Sequence, residues 1–288
     1  PPPPLPPPPT LAPPQVARLG CTSPEAARGT AEAGLRWMHE HMLFHSADQK
    51  LAGPFGATVD KVKATFHTGT VKGTGKAAGS YKVPYDGGWH PSRPHPPPAD
   101  CVLSGASLKA QAVAWSEGGI IEPDAASALC WTSDYFAQGQ DLSECYVVMI
   151  GAGSAMGPFP KLLEMGATVV AIDIPGSWGK GGTRPSSGLW KRLCAAAAAS
   201  PGSLVFPLSQ PQAECRGDAL YESAGCDLMK QPGEIANWLV AWQKSLPPSA
   251  KVIIGNYTYL DGEPPPPHPR PPHPCTPGCR TMHPRPPH

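Results

Sequence analysis

The sequence predicts an α/β fold in which helices flank a parallel sheet. In the second half of the chain, short apolar runs rich in β-branched residues alternate with segments of helical periodicity. This alternation is typical of βαβ units with right-handed crossovers. The first of these runs leads into a glycine-rich stretch, GAGSAMG, at residues 151–157. With 40% apolar residues among 288, the chain can bury one sizeable core.

Proline-rich segments occupy both ends of the sequence. Of the 41 prolines, ten lie in PPPPLPPPPTLAPP at the start and twelve follow Glu263. Proline removes backbone donors and disfavours helices and central strands. We therefore predict disordered termini at 1–19 and 263–288, a helical and loop-rich segment at 20–100, and a parallel-sheet domain at 101–262. The abrupt change of composition at Glu263 also motivates the hypothesis that the reading frame after this residue differs from an ancestral one.

The charge and the cysteines exclude several classes of protein. A net charge of +1 with 16% charged residues gives no footprint for nucleic acid or an anionic membrane. No apolar run approaches the roughly 18 residues of a membrane helix. Nine irregularly spaced cysteines do not form a secreted disulfide framework. We expect a soluble protein of the cytoplasm or another intracellular compartment, although a targeting segment is not assessable because the first residue is not Met.

Two candidate metal-ligand groups occur in the sequence. A helix is predicted at 23–46, where His41 and His45 are four residues apart and resemble a metal clamp. Without the glutamate of a zincin motif, we interpret them as surface histidines. Cys275 and Cys279 lie among histidines in the proline-rich tail, where no packed scaffold would hold ligand geometry. We predict no metal site.

The segment at 54–100 is rich in glycine and β-formers, which predicts short strands or a long ordered loop. It contains GTVKGTGKAAG, which lacks the spacing of a phosphate-binding loop. We interpret this part as a hairpin or flap. Two helices are predicted next, at 106–119 and 122–136, and Gly118 and Gly119 end the first.

The first two strands of the predicted sheet are short apolar runs, as burial on both faces requires. We place the four strands at 145–151, 167–173, 203–209 and 251–259, and the intervening helices at 157–166, 187–200 and 232–246.

The glycine-rich stretch has the residues that a nucleotide-binding turn needs. Gly151 allows a tight turn, Gly153 lets the backbone approach a pyrophosphate, and Gly157 permits close packing of helix on strand. Asp173 follows Gly151 by 22 residues, at the end of the second strand, where it would accept hydrogen bonds from a ribose hydroxyl. A phosphate is expected to meet helix amides at this turn. The predicted cofactor-binding residues of the turn are Gly151, Gly153, Ser154, Ala155, Met156 and Gly157.

This order of elements resembles the NAD(P)-binding Rossmann superfamily over roughly residues 145–260, with short-chain dehydrogenases/reductases as the nearest branch. The resemblance implies a Rossmann-like sheet, a dinucleotide cofactor and oxidoreductase chemistry. It also implies that Leu208 contacts the adenine and that Asn256 lies in a turn near the nicotinamide ribose. The spacing here is G-x-G-x-x-x-G, which matches neither the strict dinucleotide motif nor that branch's own motif, so the subfamily stays open.

The catalytic motif of that family is absent. Its Tyr-x-x-x-Lys should follow the fourth strand, but Asp261 stands four residues after Tyr257 and Glu263 four residues after Tyr259. We interpret both tyrosines as packing residues at the end of the sheet. The sequence thus predicts an oxidoreductase-like chain without a complete catalytic site, and its catalytic residues are unknown.

The charge near the second strand bears on the choice between NAD and NADP. Asp173 would repel a 2′-phosphate, so NAD is preferred. Lys180, Arg184, Lys191 and Arg192 follow in the sequence and offer an alternative phosphate site. We interpret them as solvated loop and helix residues.

Two further functions remain open. S-adenosylmethionine-dependent methyltransferases also use a glycine turn and an acid after the second strand, although Ala155 stands here at their third glycine position. Alternatively, the domain is a non-enzymatic nucleotide-binding protein whose proline-rich ends bind the aromatic grooves of partners.

Overall fold

The computed structural model describes residues 13–45, 52–63, 65–76, 79–85, 101–180 and 185–258. Its strands are β1 (Leu43–His45), β2 (Ala52–Pro54), β3 (His67–Lys72), β4 (Lys82–Pro84), β5 (Val102–Ser104), β6 (Cys145–Ile150), β7 (Thr168–Ile172), β8 (Ser203–Leu208) and β9 (Lys251–Asn256). Its helices are α1 (Pro13–Gly20), α2 (Pro24–His41), α3 (Phe55–Thr58), α4 (Gly105–Glu117), α5 (Pro123–Ala137), α6 (Phe159–Glu164), α7 (Ser187–Ala199), α8 (Ala219–Ser223) and α9 (Pro232–Gln243).

The central sheet has, in the described part of the chain, five strands in the order β3-β8-β7-β6-β9. β6 is parallel to β7 and β9, β7 is parallel to β8, and β3 is antiparallel to β8. The predicted α/β fold with a parallel sheet is confirmed, and the four predicted strands all belong to it. From β6 the chain adds β7 and β8 on one side and then β9 on the other, so the direction of winding reverses between β6 and β9.

Side chains alternate between the two faces of β6, β7 and β8, and both faces of these three strands are largely buried. On one face, Met149, Val169 and Phe206 pack in a core that includes residues of α6 and α7. On the other, Val148 and Val170 pack in a second core with residues of α9. This double burial explains why the strands read as continuous apolar runs in the sequence.

β3 comes from the segment at 54–100 and forms an edge of the central sheet. The predicted hairpin is wrong here, because β3 pairs with β8, more than 130 residues further along the chain. Beyond β3, the Thr74 amide donates to the Ala198 carbonyl (3.1 Å) and the Gly75 amide to the Ser200 carbonyl (2.9 Å). These amides satisfy carbonyls that the end of α7 leaves without intrahelical donors. They therefore serve a helix end and not a phosphate, in keeping with the rejected phosphate loop.

The N-terminal helices differ from the prediction at both ends. α1 begins at Pro13, inside the segment predicted to be disordered up to residue 19. α2 is capped by the Ser23 hydroxyl, which accepts from the Ala26 amide (3.1 Å), as the Ser-Pro-Glu sequence indicated. It ends at His41, and His45 lies in β1, so the two histidines do not share a helix face. The described residues contain no group of three or more ligands that could hold a metal ion, and Cys275 and Cys279 lie outside them.

α4 and α5 lie where the sequence placed them and pack against each other. The Gly118 amide donates to Ala114 at the end of α4, and Gly119 follows in the left-handed region (φ +68°). α8 was not predicted, because five residues carry too little periodicity. Within the described ranges, no helix combines the length and apolar character needed to cross a membrane.

Trp190 anchors α7 to the loop that follows β7, which makes it a direct test of this packing. Its side chain is fully buried, its ring lies 5.5 Å from that of Phe206, and its Nε1 donates to the Ile174 carbonyl (2.9 Å). Trp190→Phe removes this donor and leaves a cavity. We expect the free energy of unfolding in urea to fall by about 2 to 3 kcal/mol.

The matched control is Trp131→Phe, because that side chain is 65% exposed. Its effect should lie within about 0.5 kcal/mol of zero. Equal losses in the two variants would contradict the anchoring role of Trp190.

Candidate functional site

The glycine turn follows β6, at the carboxyl edge of the sheet where open α/β proteins bind ligands. Gly151 has φ +87°, in the left-handed region that a Cβ disfavours. The amides of Gly151 and Ala152 both donate to the Ile172 carbonyl, over 2.8 and 3.3 Å. The turn is thereby attached to the last residue of β7.

Asp173 extends this attachment with its carboxylate. Oδ2 accepts from the Gly153 amide (2.6 Å), and Oδ1 accepts from the Ile174 amide (2.8 Å). Hydrogen bonds from amides to an ionised carboxylate are stronger than those between neutral groups. The structure thus brings together the two features that the sequence singled out, the second glycine and the acid, in direct contact.

Most other amides of the turn are satisfied within the turn itself. Ser154 donates to the Gly151 carbonyl (3.1 Å), Gly157 to the Ser154 carbonyl (3.0 Å), and Met156 to the Ser154 hydroxyl (3.3 Å). Within the described residues, the Ala155 amide is the member of the turn that has no hydrogen-bond partner. The Ala155 amide is therefore available to a phosphate oxygen, whereas the Gly153 amide is already hydrogen-bonded to Asp173.

The helix after the turn starts later than expected. α6 begins at Phe159, two residues beyond Gly157, and is six residues long. Pro158 and Pro160 supply no amide to its first turn. The expectation that helix amides meet a phosphate is thus not realised in this structure, and the amides available belong to the glycine turn.

Leu189 of α7 packs over the second glycine, a contact that sequence reasoning missed. A Cβ at Gly153 would lie 2.4 Å from Leu189 Cδ1 and 3.2 Å from Asp173 Oδ2. A side chain at residue 153 would therefore require Leu189 to move. No local pattern around Leu189 indicated this contact, because it joins α7 to a turn that lies more than 30 residues earlier.

Tyr257 and Asn256 lie beside the turn, at the end of β9. The Tyr257 amide donates to the Ile150 carbonyl (2.7 Å), and its ring is half-buried against the core. This position agrees with the interpretation of Tyr257 as a packing residue. Asn256 pairs with Ile150 in the sheet register and is exposed. Tyr259 lies outside the described residues.

Two other predicted contact residues differ sharply in exposure. Leu208 ends β8 and is fully buried in the hydrophobic core, so it presents no surface to an adenine ring. Met156 is 86% exposed at the tip of the turn. The resemblance located Leu208 by its position after a strand, and that position does not report which way the side chain faces.

A cleft of about 360 Å³ opens at the carboxyl ends of β7 and β8. Trp178, Ser209, Glu222, Asp227 and Lys230 are among its lining residues. The cleft adjoins Asp173 through the backbone, because the Cys226 amide donates to the Asp173 carbonyl (2.9 Å). Three separate loops form it, so nothing in the sequence pattern indicated it.

Two of the basic residues near the second strand have acidic partners. Lys180 Nζ lies 2.9 Å from Glu222, and Lys191 Nζ lies 3.6 Å from Asp218. Arg184 lies outside the described residues. Both lysines are well exposed, in line with their interpretation as solvated residues.

Cys226 gives the site a dependence on alkaline pH. Burial raises the pKa of its thiol to about 12; a hydrogen bond with the Asp173 backbone opposes this rise, and the charges of the Asp173 and Asp227 carboxylates add to it. The unfolded thiol ionises near pH 8.5. Between about pH 8.5 and 12 the thiol is ionised in the unfolded chain but protonated in the folded one. The free energy of unfolding therefore falls with rising pH in this window, by at most about 1.4 kcal/mol per pH unit, and is unaffected by Cys226 below about pH 8.5.

Cys226→Ala should consequently make the free energy of unfolding fall less steeply between about pH 9 and 11, as measured by urea denaturation at several pH values. Cys21→Ala, at an exposed thiol, is the control and should keep the wild-type slope. Parallel slopes for wild type and Cys226→Ala would contradict this origin of alkaline sensitivity.

No protein-family model matches the chain, and no curated protein or solved structure matches it. The site is therefore interpreted from its own geometry.

Proposed function

We propose that the chain is a Rossmann-type NAD(P)-binding protein whose reaction class is that of an oxidoreductase. The observation that carries the proposal is the contact between Asp173, at the end of β7, and the Gly153 amide in the turn after β6. The order of the parallel strands, β8-β7-β6-β9, supports it. If the parallel strands are numbered along the chain, their spatial order is 3-2-1-4. The same order occurs in the dinucleotide-binding sheet, where strands 1 and 4 flank the switch point.

The residues present fit a dinucleotide if one hydrogen bond is exchanged. The Asp173 carboxylate places an anionic oxygen on the Gly153 amide, the position that a phosphate oxygen would take. On binding, the phosphate would take the amides of Gly153 and Ala155, and Asp173 would accept from ribose hydroxyls. Since every donor keeps an acceptor, the exchange leaves no buried polar group unpaired.

The cleft beside Asp173 offers a concave surface for the adenosine half of the ligand. Trp178 lines it with a ring that is 45% exposed and available for stacking on a base. This assignment replaces Leu208, which has no exposed surface. The nicotinamide would supply hydride transfer when bound. The residues that would move the accompanying proton remain unknown.

The charges around the site favour NAD over NADP. Asp173, Glu222 and Asp227 contribute carboxylates at or beside the cleft. A 2′-phosphate would meet this negative charge. Lys180 already pairs with Glu222, over 2.9 Å, and so is a weaker competitor for a phosphate.

Calorimetry with NAD, NADP and S-adenosylmethionine tests the proposal, and Asp173→Asn is its central variant. The substitution leaves one oxygen for the amides of Gly153 and Ile174, which now each have their own, and it removes the charge that would hold the ribose. We expect NAD to bind more tightly than NADP, and Asp173→Asn to weaken NAD by about 10- to 100-fold. The matched control is Asp218→Asn, whose carboxylate is 76% exposed and pairs with Lys191. It should bind NAD as the wild type does.

Three results would contradict the proposal. Absence of binding by both dinucleotides would rule out the cofactor, and tighter binding of S-adenosylmethionine would favour the methyltransferase alternative. Equal losses of affinity in Asp173→Asn and Asp218→Asn would remove Asp173 from the site.

A further inference from the structure

β9 forms one edge of the central sheet in the described part of the chain. The Lys251 amide donates to Glu144 (3.2 Å) and the Tyr257 amide to Ile150 (2.7 Å), both towards β6. Because backbone groups alternate in direction along a strand, Val252 and Ile254 direct theirs outward. Within the described residues, these outward N–H and C=O groups have no partner.

The same edge exposes two large apolar side chains. Ile253 is 53% exposed and Ile254 is 68% exposed, and as neighbours in a strand they face opposite sides of the sheet. Natural edge strands are usually protected by charges, proline or bulges. In β9 the charge is confined to Lys251 at its first position. At Val252 and Ile254, the edge therefore combines open backbone groups with the exposed apolar side chains of Ile253 and Ile254.

We propose that β9 pairs antiparallel with β9 of a second copy of this chain, which joins the two sheets across a twofold axis at Ile253. A twofold axis perpendicular to the sheet places the same face of both copies on the same side. Each residue must therefore pair with a residue whose side chain lies on that face. With the axis at Ile253, that side chain meets its own counterpart. Val252 then lies opposite Ile254 of the other copy, and this pair exchanges both backbone hydrogen bonds through the outward groups.

This register keeps the like charges of the two copies apart. Lys251 lies opposite Gly255, which has no side chain, and the two lysines of the dimer stay at opposite ends of the paired segment. An axis at Ile254 would instead place Val252 opposite Asn256 and Ile253 opposite Gly255. It would leave apolar side chains without apolar partners. The axis at Ile253 is therefore the favoured one.

The chain's own proline-rich segments are poorer partners for this edge. Twelve prolines follow Glu263, and each lacks the N–H that a strand ladder needs. A second β9 brings outward donors and acceptors at matching positions. Because the paired segment spans only six residues, we expect a dimer whose population depends on protein concentration.

Disulfide cross-linking tests the register directly. The Ile253 pair is a non-hydrogen-bonded pair, with Cα atoms about 4.5 Å apart, which lies within the range of a disulfide. Ile253→Cys should therefore form a covalent dimer under mild oxidation, and mass spectrometry should locate the bond at residue 253. In Ile254→Cys, the Cα atoms of the two introduced cysteines would lie about 8 Å apart, which is too far for a disulfide. This matched control should therefore not cross-link at residue 254. Both variants carry the nine native cysteines, and the oxidised wild type gives the background.

Sedimentation equilibrium of the full chain tests the association itself. The wild type should dimerise as concentration rises, and Ile253→Lys should be monomeric because it opposes two like charges across the axis. Val240→Lys, at a 47% exposed position of α9, is the control and should dimerise normally. A wild type that stays monomeric at every concentration would overturn the proposal, as would equal cross-linking at residues 253 and 254 or unchanged dimerisation of Ile253→Lys.

Discussion

The candidate site depends on the hydrogen bonds that attach the turn after β6 to the end of β7. The Ile172 carbonyl accepts the amides of Gly151 and Ala152, and the Asp173 carboxylate accepts that of Gly153. These bonds attach three residues beyond the end of β6 to the last residue of β7 and to the aspartate that follows it. They fix the turn at the switch point of the sheet, between the cleft on one side and β9 on the other. Without them, the left-handed residue Gly151 would begin a loop with no defined position.

This attachment also gives the turn a defined geometry through hydrogen bonds within the chain. An amide that points into a partly buried turn requires an acceptor. The Asp173 carboxylate supplies it with an oxygen that has the charge of a phosphate oxygen. We propose above that the same carboxylate binds a ribose, in which case one residue would both hold the turn and select the ligand. Leu189 packs over Gly153, and a Cβ at this position would displace the end of the Leu189 side chain.

Local patterns predicted much of this arrangement. The buried strands were evident from continuous apolar runs, and the spacing from Gly151 to Asp173 correctly brought a turn and an acid to the same edge. Contacts between distant segments were not predictable. β3 is a polar, glycine-containing edge strand whose partner β8 lies far along the chain, and Leu189 reaches the turn from another helix. The late start of α6 follows from Pro158 and Pro160, whose effect on the available amides the glycine pattern concealed.

We propose that, when a dinucleotide binds, the Gly153 amide replaces the Asp173 carboxylate with a dinucleotide oxygen as its hydrogen-bond acceptor. The most direct measurement is an NMR titration of protein with ¹⁵N-labelled glycine against NAD. We expect a large shift of the Gly153 amide resonance. The Gly73 amide donates to Gly202 near the opposite edge of the sheet, so its resonance should not move. A Gly153 resonance that does not move while NAD is demonstrably bound would contradict the claim and place the ligand elsewhere.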